Sequence, residues 1–112
     1  MPGITEQRQG AVTVLKPEGP FVQEQAEVLG ASAMPRVRPM LGRIVIDMAA
    51  APYIDSIGLE TLLDLAEQME QCGQTLRLAS VSPTIREVFE LTGLTHRFEY
   101  HEDTNTAVRS FM

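Results

Sequence analysis

The feature that most constrains this chain is a strand, a helix and a strand in immediate succession at its centre. Arg43–Ile44–Val45–Ile46–Asp47 opens the unit as a β-branched apolar run that reads as a strand buried on both faces. A loop of small residues and Pro52 follows, and at Asp55–Ser56 the pattern turns into a long amphipathic helix. Within it Leu59, Leu62, Leu63, Ala66 and Met69 recur at three- and four-residue steps, so they share one face. Gly73 stands where a left-handed helix end is expected. Thr75–Leu76–Arg77–Leu78–Ala79–Ser80–Val81 reads as the next strand. Two strands joined through a helix run parallel, with a right-handed crossover.

The flanks fit around this unit. Ile4 to Arg8 reads as a short edge strand, Gln9–Gly10 as a turn, and Ala11–Val12–Thr13–Val14–Leu15 as its antiparallel partner. Pro17–Glu18–Gly19–Pro20 stops the hairpin. Phe21 to Met34 carries a helical pattern whose apolar face is Phe21, Val22, Ala26, Val28 and Leu29. Pro35 and Pro39 cannot sit inside a continuous α-helix, so the helix breaks near Met34 and an irregular run leads to Gly42. Met34, Val37, Met40 and Leu41 are expected to cover the sheet. Ser82–Pro83 reads as a helix cap followed by proline at the first helical position. Ile85, Val88, Phe89 and Thr92 line that helix, and Gly93 ends it. Arg97 to Tyr100 reads as a last strand, and Asp103 as the cap of a helix with Ala107, Val108 and Phe111 facing inward. The predicted architecture is α/β: one domain over residues 1–112, a small mixed sheet with about four helices packed chiefly on one side.

Charge and composition then remove whole classes of function. At 112 residues the chain supports one core. The formal net charge is −6 and Lys16 is the sole lysine, with Arg36, Arg38 and Arg43 scattered through the proline-broken segment. A nucleic-acid partner requires a basic face, so none is expected. Cys72 is the one cysteine, which excludes an internal disulfide and a multi-cysteine metal site and fits a reducing cytoplasm. No apolar run approaches the roughly 20 residues that span a bilayer, and Met1–Pro2–Gly3–Ile4–Thr5–Glu6 lacks the pattern of a signal peptide. The expectation is a cytoplasmic domain.

Catalytic patterns are weak throughout, and no cofactor is expected. There is no Gly-rich phosphate loop with its lysine. Ser56 lacks the Gly-x-Ser-x-Gly setting of a nucleophile elbow, and His96 and His101 lie far from it in sequence. A phosphoaspartate receiver would want an acidic pair after its first strand, and Val12–Thr13–Val14–Leu15–Lys16 has none. What stands out is Ser56 itself, at a helix start where backbone N–H groups lack partners and the dipole is positive. Its hydroxyl either caps that helix or is offered at the surface to a modifying enzyme.

Ile46–Asp47–Met48, followed by Tyr53–Ile54–Asp55–Ser56–Ile57–Gly58–Leu59, resembles the signature of the STAS domain, the fold of bacterial anti-sigma factor antagonists. Later landmarks occur in the family's order: Gln71–Cys72–Gly73–Gln74–Thr75–Leu76, Ser82–Pro83, and Leu91–Thr92–Gly93–Leu94. The resemblance runs from about residue 10 to the C-terminus.

The resemblance implies a phosphorylation-switched binding module. Ser56 would be the phosphoacceptor of a serine kinase that doubles as the anti-sigma factor, and a PP2C-type phosphatase would reverse it. Asp47, Asp55, Ser56, Ile57, Gly58, Leu59 and Glu60 would meet the partner, with Gly58 leaving room for the partner's backbone. Ile57 stands where many relatives carry a second hydroxyl, so Ser56 alone is available. The acidic line Glu60, Asp64 and Glu67 is either a solvated face or a dock for a basic partner. The family also contains non-phosphorylated scaffold or regulatory subunits, including those of lipid-transport ABC complexes and stress-signalling assemblies. That is the competing reading, with a small hydrolase using Ser56 as a third.

Overall fold

The computed structural model describes residues 3–112 and opens with a hairpin. Met1 and Pro2, which begin the stretch read above as free of a signal peptide, lie outside the described residues. Strands β1 (Ile4–Gln9) and β2 (Val12–Pro17) pair antiparallel residue for residue, from Ile4 opposite Pro17 to Gln9 opposite Val12. Gly10 adopts φ 63° at the first central position of the two-residue turn, a conformation glycine takes without a Cβ penalty.

Helix α1 (Gln23–Ala33) is shorter than its pattern suggested. Phe21 and Val22 lie before it in extended backbone, and Phe21 forms a parallel bridge with Ile54 instead of a helical turn. Val28 points outward, 41% exposed, and Gln25 takes an inward place. Gln25 is held there because its amide closes a two-way pair with Gly3, accepting from the Gly3 N–H at 3.0 Å and donating to its carbonyl at 2.6 Å. The proline-rich run behaves as expected: a single 3₁₀ turn over Met34–Arg36, then irregular turns to Gly42. Val37 is buried and Met34 and Met40 pack against the core, but Leu41 turns to solvent at φ 55°.

Strand β3 (Ile44–Asp47) lies parallel to β2, and after helix α2 (Ser56–Gln71) strand β4 (Leu76–Ala79) lies parallel to β3. Gly73 ends α2 at φ 75°, and the Gln74 N–H reaches back to the Met69 carbonyl at 2.9 Å, satisfying a helix-end acceptor. Helix α3 (Pro83–Leu91), strand β5 (Phe98–His101) and helix α4 (Thr104–Arg109) complete a five-stranded sheet in the order β1-β2-β3-β4-β5. Ser82 caps α3 by accepting from the Ile85 N–H, and Asp103 caps α4 by accepting from the Thr106 N–H. In α3 Ile85 and Phe89 are buried, whereas Thr92 is exposed and donates back to the Val88 carbonyl at 2.7 Å.

The sheet has a thick side and a thin one. Leu15, Leu29, Ile44, Ile46, Leu62, Leu65, Met69, Leu78, Ile85 and Phe89 join α1, α2 and α3 to one face. On the other face Val12, Val14, Val45 and Ala79 meet Ala107 and Val108 of α4, with Phe111 alongside. The β-branched run at β3 is explained by this: Val45 belongs to the thin side while Ile44 and Ile46 belong to the thick one. On α2 the buried stripe is Gly58, Leu62, Leu65, Ala66 and Met69, with Leu59 and Leu63 at its margin. Among the described residues no helix is long and apolar enough to cross a membrane.

Candidate functional site

The segment from Asp47 to Glu60 carries every residue that the family resemblance puts at the partner contact, and the fold fixes it at both ends. Where β3 stops, the Asp47 carboxylate accepts from the Ala49 N–H at 2.9 Å and bends the chain. The Met48 N–H donates to the Ala79 carbonyl of β4 at 2.8 Å, and the Met48 and Ala51 side chains are buried. Further on, the Ser82 hydroxyl reaches the Pro52 carbonyl at 3.3 Å. At the far end the Phe21 N–H donates to the Tyr53 carbonyl at 2.9 Å, beside the Phe21–Ile54 bridge.

Asp55, not Ser56, caps α2. Its backbone is extended (φ −104°, ψ −176°) and its Oδ1 accepts from the Gly58 N–H at 2.8 Å. The second oxygen, Oδ2, accepts from the Gln23 N–H at 3.0 Å, at the start of α1, where Val22 supplies no side-chain cap. One carboxylate therefore serves two helix N-termini. Ser56, the first residue of α2, is left exposed and is not needed for capping. The choice between a capping serine and a free one is decided by its neighbour.

Gly58 corrects the expectation that it makes room for a partner. It is buried, and a Cβ built on it would stand 2.1 Å from the Phe21 carbonyl oxygen and 2.8 Å from Ile54 Cγ1. The close approach it permits is by this chain's own backbone. Leu59 likewise packs on the core rather than facing out. The solvent-facing members are Ser56, Ile57 and Glu60, joined by Tyr53, which is 51% exposed. Glu60, Asp64 and Glu67 continue as an exposed acidic line along α2, with Ser56 at its head.

Neither histidine joins this site. Nε2 of His101 lies 2.8 Å from a Glu99 carboxylate oxygen on β5, and His96 is exposed in the 3₁₀ turn before that strand. Among the described residues no group of three His, Cys, Asp or Glu side chains is gathered where a metal ion could be held. Two features escape a reading of the sequence: the reach of Asp55 to Gln23, which are 32 positions apart, and the role of Phe21 in seating α2. No local signal marks Asp55 over Ser56 as the cap, since aspartate and serine cap about equally well.

Comparison with known proteins bears on the family and the fold. A family model of the STAS domain matches residues 4–107. The Bordetella bronchiseptica protein BtrV, named for a proposed role as an anti-sigma factor antagonist, is 32% identical over 94 residues, covering 84% of this chain and 81% of BtrV. A Thermotoga maritima protein described by the same proposed role has a crystal structure that superposes with a TM-score of 0.85 at 16% identity, covering 96% of this chain and 92% of that one. The Bacillus cell fate determinant SpoIIAA, in its phosphorylated form, superposes with a TM-score of 0.73 at 19% identity, covering 96% and 99%. At such identities the superpositions speak for the fold alone. The family match, which takes in the whole sheet and all of α4 but its last two residues, and the BtrV relationship together establish that the chain belongs to the STAS domain family.

Proposed function

We propose that this chain is an anti-sigma factor antagonist controlled by phosphorylation of Ser56. The observation that carries the reading is the division of labour at the start of α2: Asp55 holds the helix, so the exposed Ser56 hydroxyl is free for a kinase. In the proposed cycle the unphosphorylated chain binds a serine kinase that is also the anti-sigma factor, and so releases the sigma factor. The phosphorylated chain does not bind, and a PP2C-type phosphatase restores it. The contact surface is Ser56 with Tyr53, Ile57 and Glu60, while Asp47, Asp55, Gly58 and Leu59 hold it in place from behind.

The physics of the switch is local. Phosphorylation adds about −1.5 to −2 charges and three strong acceptor oxygens. The positive end of the α2 dipole tolerates that charge, so the fold persists. A partner surface shaped for a neutral hydroxyl meets a dianion instead. At about 6 Å and an effective dielectric near 40, repulsion from one opposing carboxylate is on the order of 2 kcal/mol, more than a tenfold loss of affinity.

The test is incubation with the partner serine kinase and ATP, followed by mass spectrometry and a binding assay. The expected result is phosphate on Ser56, binding retained by Ser56→Ala, and binding weakened at least tenfold by Ser56→Asp or Ser56→Glu. Phosphate found only elsewhere, for instance on Thr61 or Ser82, overturns the assignment.

A further inference from the structure

The sheet ends on β1, whose outer side faces no other strand among the described residues. In an antiparallel ladder, residues that bond to the neighbouring strand alternate with residues whose N–H and C=O point away from it. The hairpin fixes which are which. The Gly3 carbonyl accepts from the Glu18 N–H at 2.9 Å, and Gln9 and Val12 close the two-residue turn, so Thr5, Gln7 and Gln9 bond to β2. Ile4, Glu6 and Arg8 therefore present their backbone groups outward.

Exposed edges are commonly blunted by a proline, a lysine or a bulge. β1 has none of these: Ile4–Gln9 contains neither residue type and runs six paired positions without interruption. Thr5, Glu6, Gln7 and Arg8 are all exposed.

We propose that β1 is a contact between two copies of this chain, paired antiparallel about a twofold axis at Gln7, so that two sheets become one. Two constraints select that axis. Outward-pointing residues must meet outward-pointing residues, which requires the axis to pass through a residue rather than between two. An axis at Glu6 sets two carboxylates opposite each other. An axis at Gln7 sets Glu6 opposite Arg8 on both sides of the twofold, with Thr5 opposite Gln9, so every charge on the strand meets its opposite. Glu6 and Arg8 are two residues apart and share a face, the one on which Arg36 already pairs with Glu6. The strand is thus self-complementary in both hydrogen bonding and charge.

Sedimentation of the 112-residue chain from micromolar to millimolar concentration tests this, read beside amide chemical shifts. The expected result is a concentration-dependent dimer with shifts confined to residues 3–10. Glu6→Arg and Arg8→Glu each weaken it about tenfold, because each sets like charges across the axis. An equimolar mixture of the two variants forms a heterodimer, and the double variant Glu6→Arg/Arg8→Glu recovers wild-type association. A chain that stays monomeric throughout overturns the proposal. So does a dimer indifferent to these reversals, or one whose shifts map elsewhere, including capture of a strand from another protein with no self-association.

Discussion

The Asp55 carboxylate and the Gln23 backbone N–H, 32 residues apart, are joined by a 3.0 Å hydrogen bond that ties the start of α1 to the cap of α2. Replacing Asp55 by alanine therefore removes two caps at once. A single cap is worth about 0.5–2 kcal/mol, so Asp55→Ala is expected to cost about 2–3 kcal/mol in urea denaturation. Ser56→Ala, one position on, is expected to change stability by less than about 0.5 kcal/mol. Equal losses from the two substitutions would return the capping role to Ser56.

Gly58→Ala is expected to be severe although alanine is the better helix former. The added methyl group meets the Phe21 carbonyl, which belongs to backbone held by the Tyr53 and Ile54 contacts and has little freedom to move. The propensity gain of about 1 kcal/mol is outweighed by a steric cost of about 2–4 kcal/mol. Gly30→Ala provides the comparison. There the nearest atom is Thr61 Cγ2 at 3.3 Å, a side-chain methyl that shifts by tenths of an ångström, and the change is expected to be neutral within about 1 kcal/mol. Thermal or urea unfolding of both variants reads the difference.

Arg77 anchors the C-terminal end of the chain from within the sheet. It is buried to 8% exposure, its guanidinium sits 3.6 Å from the Phe111 ring centroid, and its Nε donates to Ser110 Oγ at 2.5 Å. Arg77→Met keeps the apolar stem and removes these contacts, together with the hydrogen bonds to Gln74 Oε1 at 3.1 Å and the Thr75 carbonyl at 3.3 Å and the pairing with Glu99 at 3.7 Å. The expected loss is about 1–3 kcal/mol, with faster hydrogen exchange in α4 than in α2.

The α4 cap makes one contribution to stability pH-dependent. Hydrogen bonds from Thr106 hold the Asp103 carboxyl below its ordinary range. A depressed folded-state pKa means that the contribution is complete above the unfolded value, near 4, and fades as pH falls through the folded value. Asp103→Asn, which does not titrate, is expected to flatten the acid limb of stability between pH 5 and pH 3. Urea midpoints across that range, with α4 followed by amide exchange, provide the measurement.

Much of the fold was legible because periodicity and packing agree. The β-branched run of β3, the stripe on α2 and the glycine after it dictate a parallel strand–helix–strand unit. The prolines at 35 and 39 place the break after α1, where the 3₁₀ turn occurs. What failed to show was long-range. Phe21 fits a helical face by spacing, but the bridge to Ile54 claims it for extended backbone, and Val28 lies off the stripe of Gln25, Ala26, Leu29 and Ala33 that α1 buries. Arg77 looks like an ordinary strand residue until Phe111 and Ser110 come to lie beside it. At the candidate site the positions of Ser56, Ile57 and Glu60 follow from the helix start. The separation of cap from free hydroxyl does not, because Asp55 and Ser56 are nearly equal as caps.

The bridge between Phe21 and Ile54 has a consequence for any encounter at this surface. Because the entrances of α1 and α2 are latched to one another, a partner of the kind proposed would find the patch around Ser56 already in shape. Docking there demands little loss of chain freedom, so the contacts themselves carry over more fully into affinity. Loosening the latch from beneath, at Phe21 or Gly58, would weaken a complex without altering a single atom that touches the visitor.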